Sequence, residues 1–178
     1  MEMIVHIFGG AGSGTSTLGR AIAAEYGCFF MDTDDYFWMP TDPPFRERRP
    51  REERLSMLRE EFAAHERIVL SGSLCGWGDP LIPLFDLAVR MELPPEIRLS
   101  RLETRERSRF GDRLLPGGDM ERQHREFMDW AARYDTAGPD IRSRALHDEW
   151  QKKLACPVVL LDGSQPVKRL IRQLEPYL

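Results

Sequence analysis

The run Gly9-Gly10-Ala11-Gly12-Ser13-Gly14-Thr15-Ser16-Thr17 has the spacing of a phosphate-binding loop but lacks that loop's lysine. The usual pattern is G-x-x-x-x-G-K-[ST]. Here Gly9, four residues, Gly14, Thr15 and Ser16 fill it, and Thr15 stands where lysine would. Backbone N–H groups of residues 10 to 16 can wrap a phosphate, and a helix opening at Thr15 would add its positive end. Ser16 is placed to offer its hydroxyl to Mg²⁺. The alternative use of such a run is a tight strand-to-helix turn with no ligand. The missing lysine removes a point charge at the β- and γ-phosphates. Losing one preorganised donor typically costs about 10²–10³ in rate, whereas ground-state binding through a nest of amides should survive better.

A replacement cation has to be sought among arginines, because the chain holds lysine only at 152, 153 and 168. Arg98, Arg101, Arg105 and Arg109 fall at i, i+3, i+7 and i+11, so one helix would carry all four on a single stripe. Guanidinium forks match phosphate oxygens in pairs, which suits a clamp on a transferring phosphoryl group and makes Arg101, Arg105 and Arg109 candidate catalytic residues. A solvated face paired with Glu103 and Glu106 is the plainer reading of the same spacing. Beyond the stripe lie Arg113 and Pro116-Gly117-Gly118, a breaker cluster of the kind found in mobile loops.

Positioning these groups requires strands and helices in alternation, and the chain supplies them. Apolar runs at 3–8, 28–31, 67–70, 87–91 and 157–161 read as strands, each short enough for the core of a parallel sheet. Helical patterns lie between them: Thr15 to Glu25 with Leu18, Ala21 and Ile22 toward the sheet, one from near Pro50 through Leu55, Leu58 and Phe62, and one opening at Pro94-Pro95. Further helices are expected at 119–134, 140–154 and 166–175. The alternation predicts an α/β fold, a parallel sheet with helices on both faces. No internal repeat or low-complexity segment appears, so residues 1–178 are read as one domain.

Composition narrows the function classes. With 178 residues, 42% hydrophobic and 30% charged, the chain suits one globular core. A net charge of −4 sits poorly with a nucleic-acid partner. The longest apolar runs are strand-sized, far below the roughly 20 residues of a membrane span, so no membrane is expected and the protein is placed in the cytoplasm. Cys28, Cys75 and Cys156 are too scattered for a zinc or redox motif and read as reduced thiols in or near the core. His6 reads as a structural residue within the first strand. His65, His124 and His147 show no metal-ligand spacing, and Trp77, Trp130 and Trp150 read as packing residues.

In order along the chain, four landmarks resemble the P-loop small-molecule kinases, the group that holds nucleoside monophosphate, shikimate and gluconate kinases. They are GGAGSGTST after the first strand, Asp32-Thr33-Asp34 after the second, Ser71-Gly72-Ser73 after the third, and Arg101 with Arg105 before a glycine-rich segment. The resemblance spans most of the chain. It implies a P-loop NTPase three-layer sandwich, a five-stranded parallel sheet in the order 2-3-1-4-5 with helices on both faces, and a lid near 106–118. Asp32 would sit near Mg²⁺, and Asp34 would contact the acceptor and, for a hydroxyl acceptor, take its proton. The same carboxylates are also good turn and N-cap chemistry. Ser71 occupies the place of the usual acidic residue at the end of the third strand, and Gly72 resembles the glycine that lets a substrate approach the backbone.

Residues from about 36 to 66 fall where this family binds its second substrate. There Trp38, Pro40, Pro43, Pro44 and Phe45 stand beside Arg46, Arg48 and Arg49, suiting a flat anionic molecule or, equally, a proline-rich loop packed on the core. Arg46 and Arg49 are taken as substrate-binding candidates with Asp34 and Gly72. The absence of an N-K-x-D tetrapeptide favours ATP over GTP. The resemblance therefore implies a Mg²⁺-ATP phosphotransferase acting on a small-molecule acceptor, a nucleoside monophosphate first and a small hydroxyl acceptor second. A nucleotide-binding module with little turnover remains the reading that Thr15 favours.

Overall fold

The computed structural model describes residues 3–178. Apolar segments build five parallel strands: β1 (Met3–Gly9), β2 (Phe29–Asp32), β3 (Arg67–Ser71), β4 (Leu87–Glu92) and β5 (Val158–Asp162). Their order in the sheet is β2-β3-β1-β4-β5, as the resemblance implied. Because β1 is central, its C-terminal end opens between β3 and β4, where the chain reverses direction across the sheet and ligands bind in open α/β folds. The registers align Ile7 with Ser71 and Gly9 with Met91. The glycine loop, the loop after β3 and the loop after β4 therefore leave the same edge of the sheet.

Seven helices cover the two faces: α1 (Thr15–Tyr26), α2 (Thr33–Phe37), α3 (Arg51–Ala64), α4 (Pro95–Phe110), α5 (Glu121–Ala132), α6 (Arg144–Gln151) and α7 (Val167–Leu174). One face packs Leu18 and Ile22 of α1 and Leu170, Ile171 and Leu174 of α7 on Val5, Ile7, Val69 and Val89. The other collects Phe8, Leu55, Leu58, Leu70, Trp77, Phe85 and Trp150. Burying such side chains on both faces, at about 25 cal/mol per Å² of apolar surface, fixes where the loops at the sheet's edge begin.

Three elements differ from the sequence reading. Asp32 is an N-cap, as its chemistry suggested, accepting from Asp34 N–H at 3.1 Å, but Thr33-Asp34-Asp35 open a short helix, α2, where a turn was the other reading. The helix expected over 119–134 ends at Ala132 and tightens into a 3₁₀ turn at Arg133–Asp135. The helix expected over 140–154 begins only at Arg144, where Ser143 Oγ caps it by accepting from Leu146 N–H. Among the described residues, no helix is long and apolar enough to cross a membrane. All three cysteines are free and partly buried.

Candidate active site at the C-terminal edge of the sheet

The glycine loop leaves β1 and enters α1 through two left-handed residues, Gly12 (φ 83°) and Gly14 (φ 96°). A side chain at position 12 would lie 2.5 Å from the Arg98 carbonyl oxygen, and one at position 9 would meet Met91 O and Ser13 Oγ at 2.5 and 2.6 Å. Packing thus forces glycine at both positions. The α1 N-terminus has no side-chain cap, so its first N–H groups stay available to a ligand. Ser13 Oγ, fully enclosed beside them, has no hydrogen-bond partner. An uncapped helix end, an αL glycine pair and an orphaned hydroxyl together suit phosphate oxygens.

Beside the loop, three oxygen-bearing side chains converge. Ser16 Oγ donates to Asp32 Oδ2 at 2.7 Å, and Ser71 Oγ donates to Ser16 Oγ at 3.3 Å. Among the described residues no cluster of three His, Cys, Asp or Glu side chains could hold a metal alone. One carboxylate and one hydroxyl nevertheless fit Mg²⁺, which prefers hard oxygens and takes the rest of its octahedron from phosphates and water. Ser71, at the end of β3, supplies a hydroxyl where the usual acidic residue would stand.

Helix α4 runs unbroken to Phe110, so the four arginines do share one helix, but they do not share one task. Arg98 is 1% exposed; its guanidinium pairs with Asp135, donates to Ala11 O at 3.0 Å and lies over the Tyr134 ring. It is a brace under the glycine loop, not a phosphate clamp. Arg101 Nη1 donates to Gly163 O at 3.1 Å and lies 3.8 Å from where a Gly14 Cβ would be, which puts it beside the end of the loop while Arg98 is tied up beneath it. Arg105 pairs with its neighbour Glu106, and Arg107, not Arg109, pairs with Glu103. Arg109 is exposed with no ion pair to the described residues. The solvated-face reading therefore applies to part of this helix.

Asp34 stands in the first turn of α2, two residues after Asp32, whose Oδ1 accepts from its N–H. Its side chain reaches solvent yet is crowded on its flanks. Burial and then the neighbouring Asp32 push its carboxyl above the usual range, while Arg142, Arg105 and Trp38 pull the other way. A carboxylate raised in this manner is a better proton acceptor near neutral pH than an ordinary one. Arg142 was not singled out in the sequence. It is half-buried, rests on the Trp130 ring at 5.4 Å, and forms no ion pair with the described residues. Burial lowers its affinity for its proton, and the Asp34 charge opposes that effect. No motif flags it, because it lies in the irregular segment just before the cap of α6.

The other acceptor candidates are held elsewhere. Arg46 points to α5, donating to Gln123 Oε1 at 3.1 Å and Asp119 O at 3.4 Å. Arg49 is spent on Tyr36 O, Trp38 O and a 2.6 Å pair with Glu53, the i,i+4 partner its spacing suggested. Both tie the insert together; all three nitrogens of the Arg49 guanidinium are engaged, which leaves it little for a ligand, whereas Arg46 Nη1 makes no hydrogen bond to the described residues. Gly72, with φ 113°, has no room for a side chain because a Cβ would fall 1.9 Å from Thr33 Oγ1. Thr33 and the positive φ are enough by themselves to require glycine there. Arg48 is exposed, faces the Phe37 ring at 5.8 Å and makes no ion pair with the described residues. Arg113 bridges Asp119 and Asp42 at 2.7 Å each, so the glycine-rich segment touches the insert. A cavity of about 380 Å³ lies at this junction of the insert with α5, lined by Arg46, Asp119, Arg122, Gln123 and Glu126.

This fold and edge-of-sheet site define a P-loop protein, and comparison with known proteins agrees. Residues 5–130 match the family described as an AAA domain, and the chain belongs to that family, within the P-loop small-molecule kinases. It is 40% identical over 178 residues to the "Uncharacterized protein YqaC" of Bacillus subtilis (strain 168), covering 100% of this chain and 98% of that one. It is 27% identical over 157 residues to the cytidylate kinase of Thermococcus sibiricus (strain DSM 12597 / MM 739), covering 82% and 77% of the two chains. A shikimate kinase structure from Bacteroides thetaiotaomicron superposes with a TM-score of 0.57 at 18% identity, over 97% of this chain and 98% of that chain, which shows a shared fold.

Proposed function

We propose that this protein is a cytoplasmic phosphotransferase that moves the γ-phosphoryl group of Mg²⁺-ATP to a small-molecule acceptor, in first place a nucleoside monophosphate. The observation that carries the reading is the uncapped, glycine-cradled start of α1 beside the Ser16–Asp32 pair. Amides of residues 10 to 16 would hold the phosphates, and Ser16 and Asp32 would hold Mg²⁺, which would supply neutralising charge for the transfer. Arg101 stands beside Gly14 and takes over the charge that Thr15 does not supply. Arg105 and Arg109 lie farther along the same helix, toward the acid side chains of α2. In transfer, the acceptor oxygen bonds to the γ-phosphorus, the bond to the β-phosphate oxygen breaks, and ADP leaves. Positioning and charge stabilisation supply most of the acceleration.

The acceptor lies between Asp34, Arg48 and Arg142. Two guanidinium groups without ion-pair partners favour an acceptor that carries an oxyanion, and the cytidylate kinase relative supports a nucleoside monophosphate. Asp34 gives the second reading its support: a carboxyl pushed upward can take the proton of a hydroxyl acceptor, whereas a phosphate acceptor has none to give up at neutral pH. Coupled measurement of ADP release with a panel of nucleoside monophosphates and small hydroxy acids separates the two. Turnover dependent on a nucleoside monophosphate is the expected result. Turnover only with hydroxy acids overturns the first reading in favour of the second. ATP binding without turnover on any acceptor leaves a nucleotide-binding module.

A further inference from the structure

Behind the site runs a line of buried polar groups that the proposed chemistry does not use. Tyr134, in the 3₁₀ turn after α5, lays its ring against the glycine loop: a Cβ on Gly10 would fall 2.8 Å from Tyr134 Cε1. Its hydroxyl is 2.8 Å from His147 Nδ1 on α6. The other ring nitrogen, Nε2, is 3.1 Å from Ser73 Oγ in the loop after β3. Ser73 in turn organises that loop, its Oγ accepting from Cys75 N–H at 3.4 Å and its carbonyl from the Trp77 indole N–H at 3.2 Å. Tyr134, His147 and Ser73 are 6%, 0% and 4% exposed, so no water competes for these bonds. Below them, Arg98 braces both the Tyr134 ring and Ala11 O.

A buried hydrogen-bonded chain of this kind is rigid, because breaking any member leaves its partner unsatisfied in a low dielectric. His147 is held neutral by burial, with the charges of Arg142 and Arg90 acting in the same direction. A neutral ring has one N–H donor and one acceptor, so the bond at Ser73 and the bond at Tyr134 have opposite sense and fix each other. The line joins the loop that wraps the donor phosphates to the loop that edges the acceptor cleft beside Cys75 and Arg142.

We infer that His147 is a positioning residue which, through Tyr134 and Ser73, couples the donor loop at Gly10 to the acceptor loop at residues 72–78. The inference rests on the proposed nucleotide site. Filling the glycine loop settles it against the Tyr134 ring, and the hydroxyl–imidazole–hydroxyl line passes that restraint to Ser73 before an acceptor arrives.

Amide hydrogen exchange on the full chain, with and without Mg²⁺-ADP, tests it. In the wild type, nucleotide should slow exchange both at residues 9–17 and at residues 72–78. His147→Gln keeps an amide group where Nε2 bonds Ser73 and loses the bond to Tyr134; Ser73→Ala cuts the line at the other end. Both variants should bind Mg²⁺-ADP within about twofold of wild type and keep the slowing at 9–17, but lose most of it at 72–78. Protection at 72–78 that persists in both variants overturns the inference, as does wild-type protection confined to 9–17. Wild-type chain that shows no protection at 9–17 overturns the nucleotide reading itself, and the inference with it. Should His147→Gln fail to fold, Ser73→Ala alone separates the same outcomes.

Discussion

The donor loop and the acceptor insert are built on opposite principles. Around the glycine loop, neighbours in sequence are neighbours in function. Gly9, Gly12 and Gly14 shape the cradle, Ser16 stands next to them, and the groups that press on the loop (Arg98, Leu102, Met91 and Gly163) leave no room for another residue type. In the insert, sequence neighbours divide. Arg46, Arg48 and Arg49 lie within four positions, yet the first reaches α5, the last knots the insert to α3, and only Arg48 is left without such partners. The cation whose charge most opposes the upward shift of the Asp34 carboxyl is Arg142, more than a hundred residues away. A phosphate cradle depends on backbone conformation, which a short motif encodes; an acceptor cleft depends on side chains that converge from separate elements.

If that contrast holds, the largest effect should come from the loop's backbone. Gly12→Ala places a Cβ at a left-handed residue and against a carbonyl oxygen. Strain of about 1–3 kcal/mol should appear in denaturant unfolding, and Mg²⁺-ATP binding by titration calorimetry should be lost. An unchanged affinity would mean that the cradle is not where nucleotide sits.

Next comes the paired test of the insert. Arg142→Met should raise acceptor KM by about 10- to 100-fold, the worth of a charged hydrogen bond of about 1.5–3 kcal/mol, and leave nucleotide affinity alone. Arg49→Met should barely change acceptor KM and lower stability by about 1–3 kcal/mol, chiefly because Tyr36 O and Trp38 O lose their donor, the solvent-exposed Glu53 adding little. Steady-state kinetics on both variants decides the matter, and the opposite ranking would restore Arg49 as the ligand-facing group.

A graded effect concerns the buried histidines. His6 and His147 are both lowered to about 3 by burial. In the unfolded chain they titrate near 6.5, so below that pH the unfolded state binds more protons and stability falls. Each histidine should cost about 1.4 kcal/mol per pH unit between roughly 6.5 and 3. Urea midpoints measured from pH 7 to pH 5 should fall, and His147→Gln should flatten the slope.

Much of this fold was legible because its strands are compact apolar runs and its loops open at glycine or proline. The five strands, the strand order implied by the resemblance, and α1, α3, α4 and α7 stand within a residue or two of their expected places. The short helix α2 was not read as one, since Asp32-Thr33-Asp34-Asp35 is equally good as a turn until a tertiary neighbour selects the helix. In the site, periodicity correctly put four arginines on one helix but could not say that Arg98 turns inward; that depends on Asp135 and Tyr134, which lie on another segment. Arg142 and the Tyr134–His147–Ser73 line were invisible for the same reason. Each is defined by a contact between segments that no local spacing records.

The central claim is that the loop transfers a phosphoryl group without its lysine because Arg101 stands beside Gly14. The most direct measurement is acceptor-dependent ADP release by wild type, Arg101→Met, and Arg101→Met combined with Thr15→Lys, in one coupled assay. The account expects turnover by wild type, a fall of about 10²–10³ when Arg101 is removed, and substantial recovery when lysine is returned at position 15. Arg101→Met turning over at the wild-type rate would contradict it, and so would a wild-type chain that releases no ADP with any acceptor.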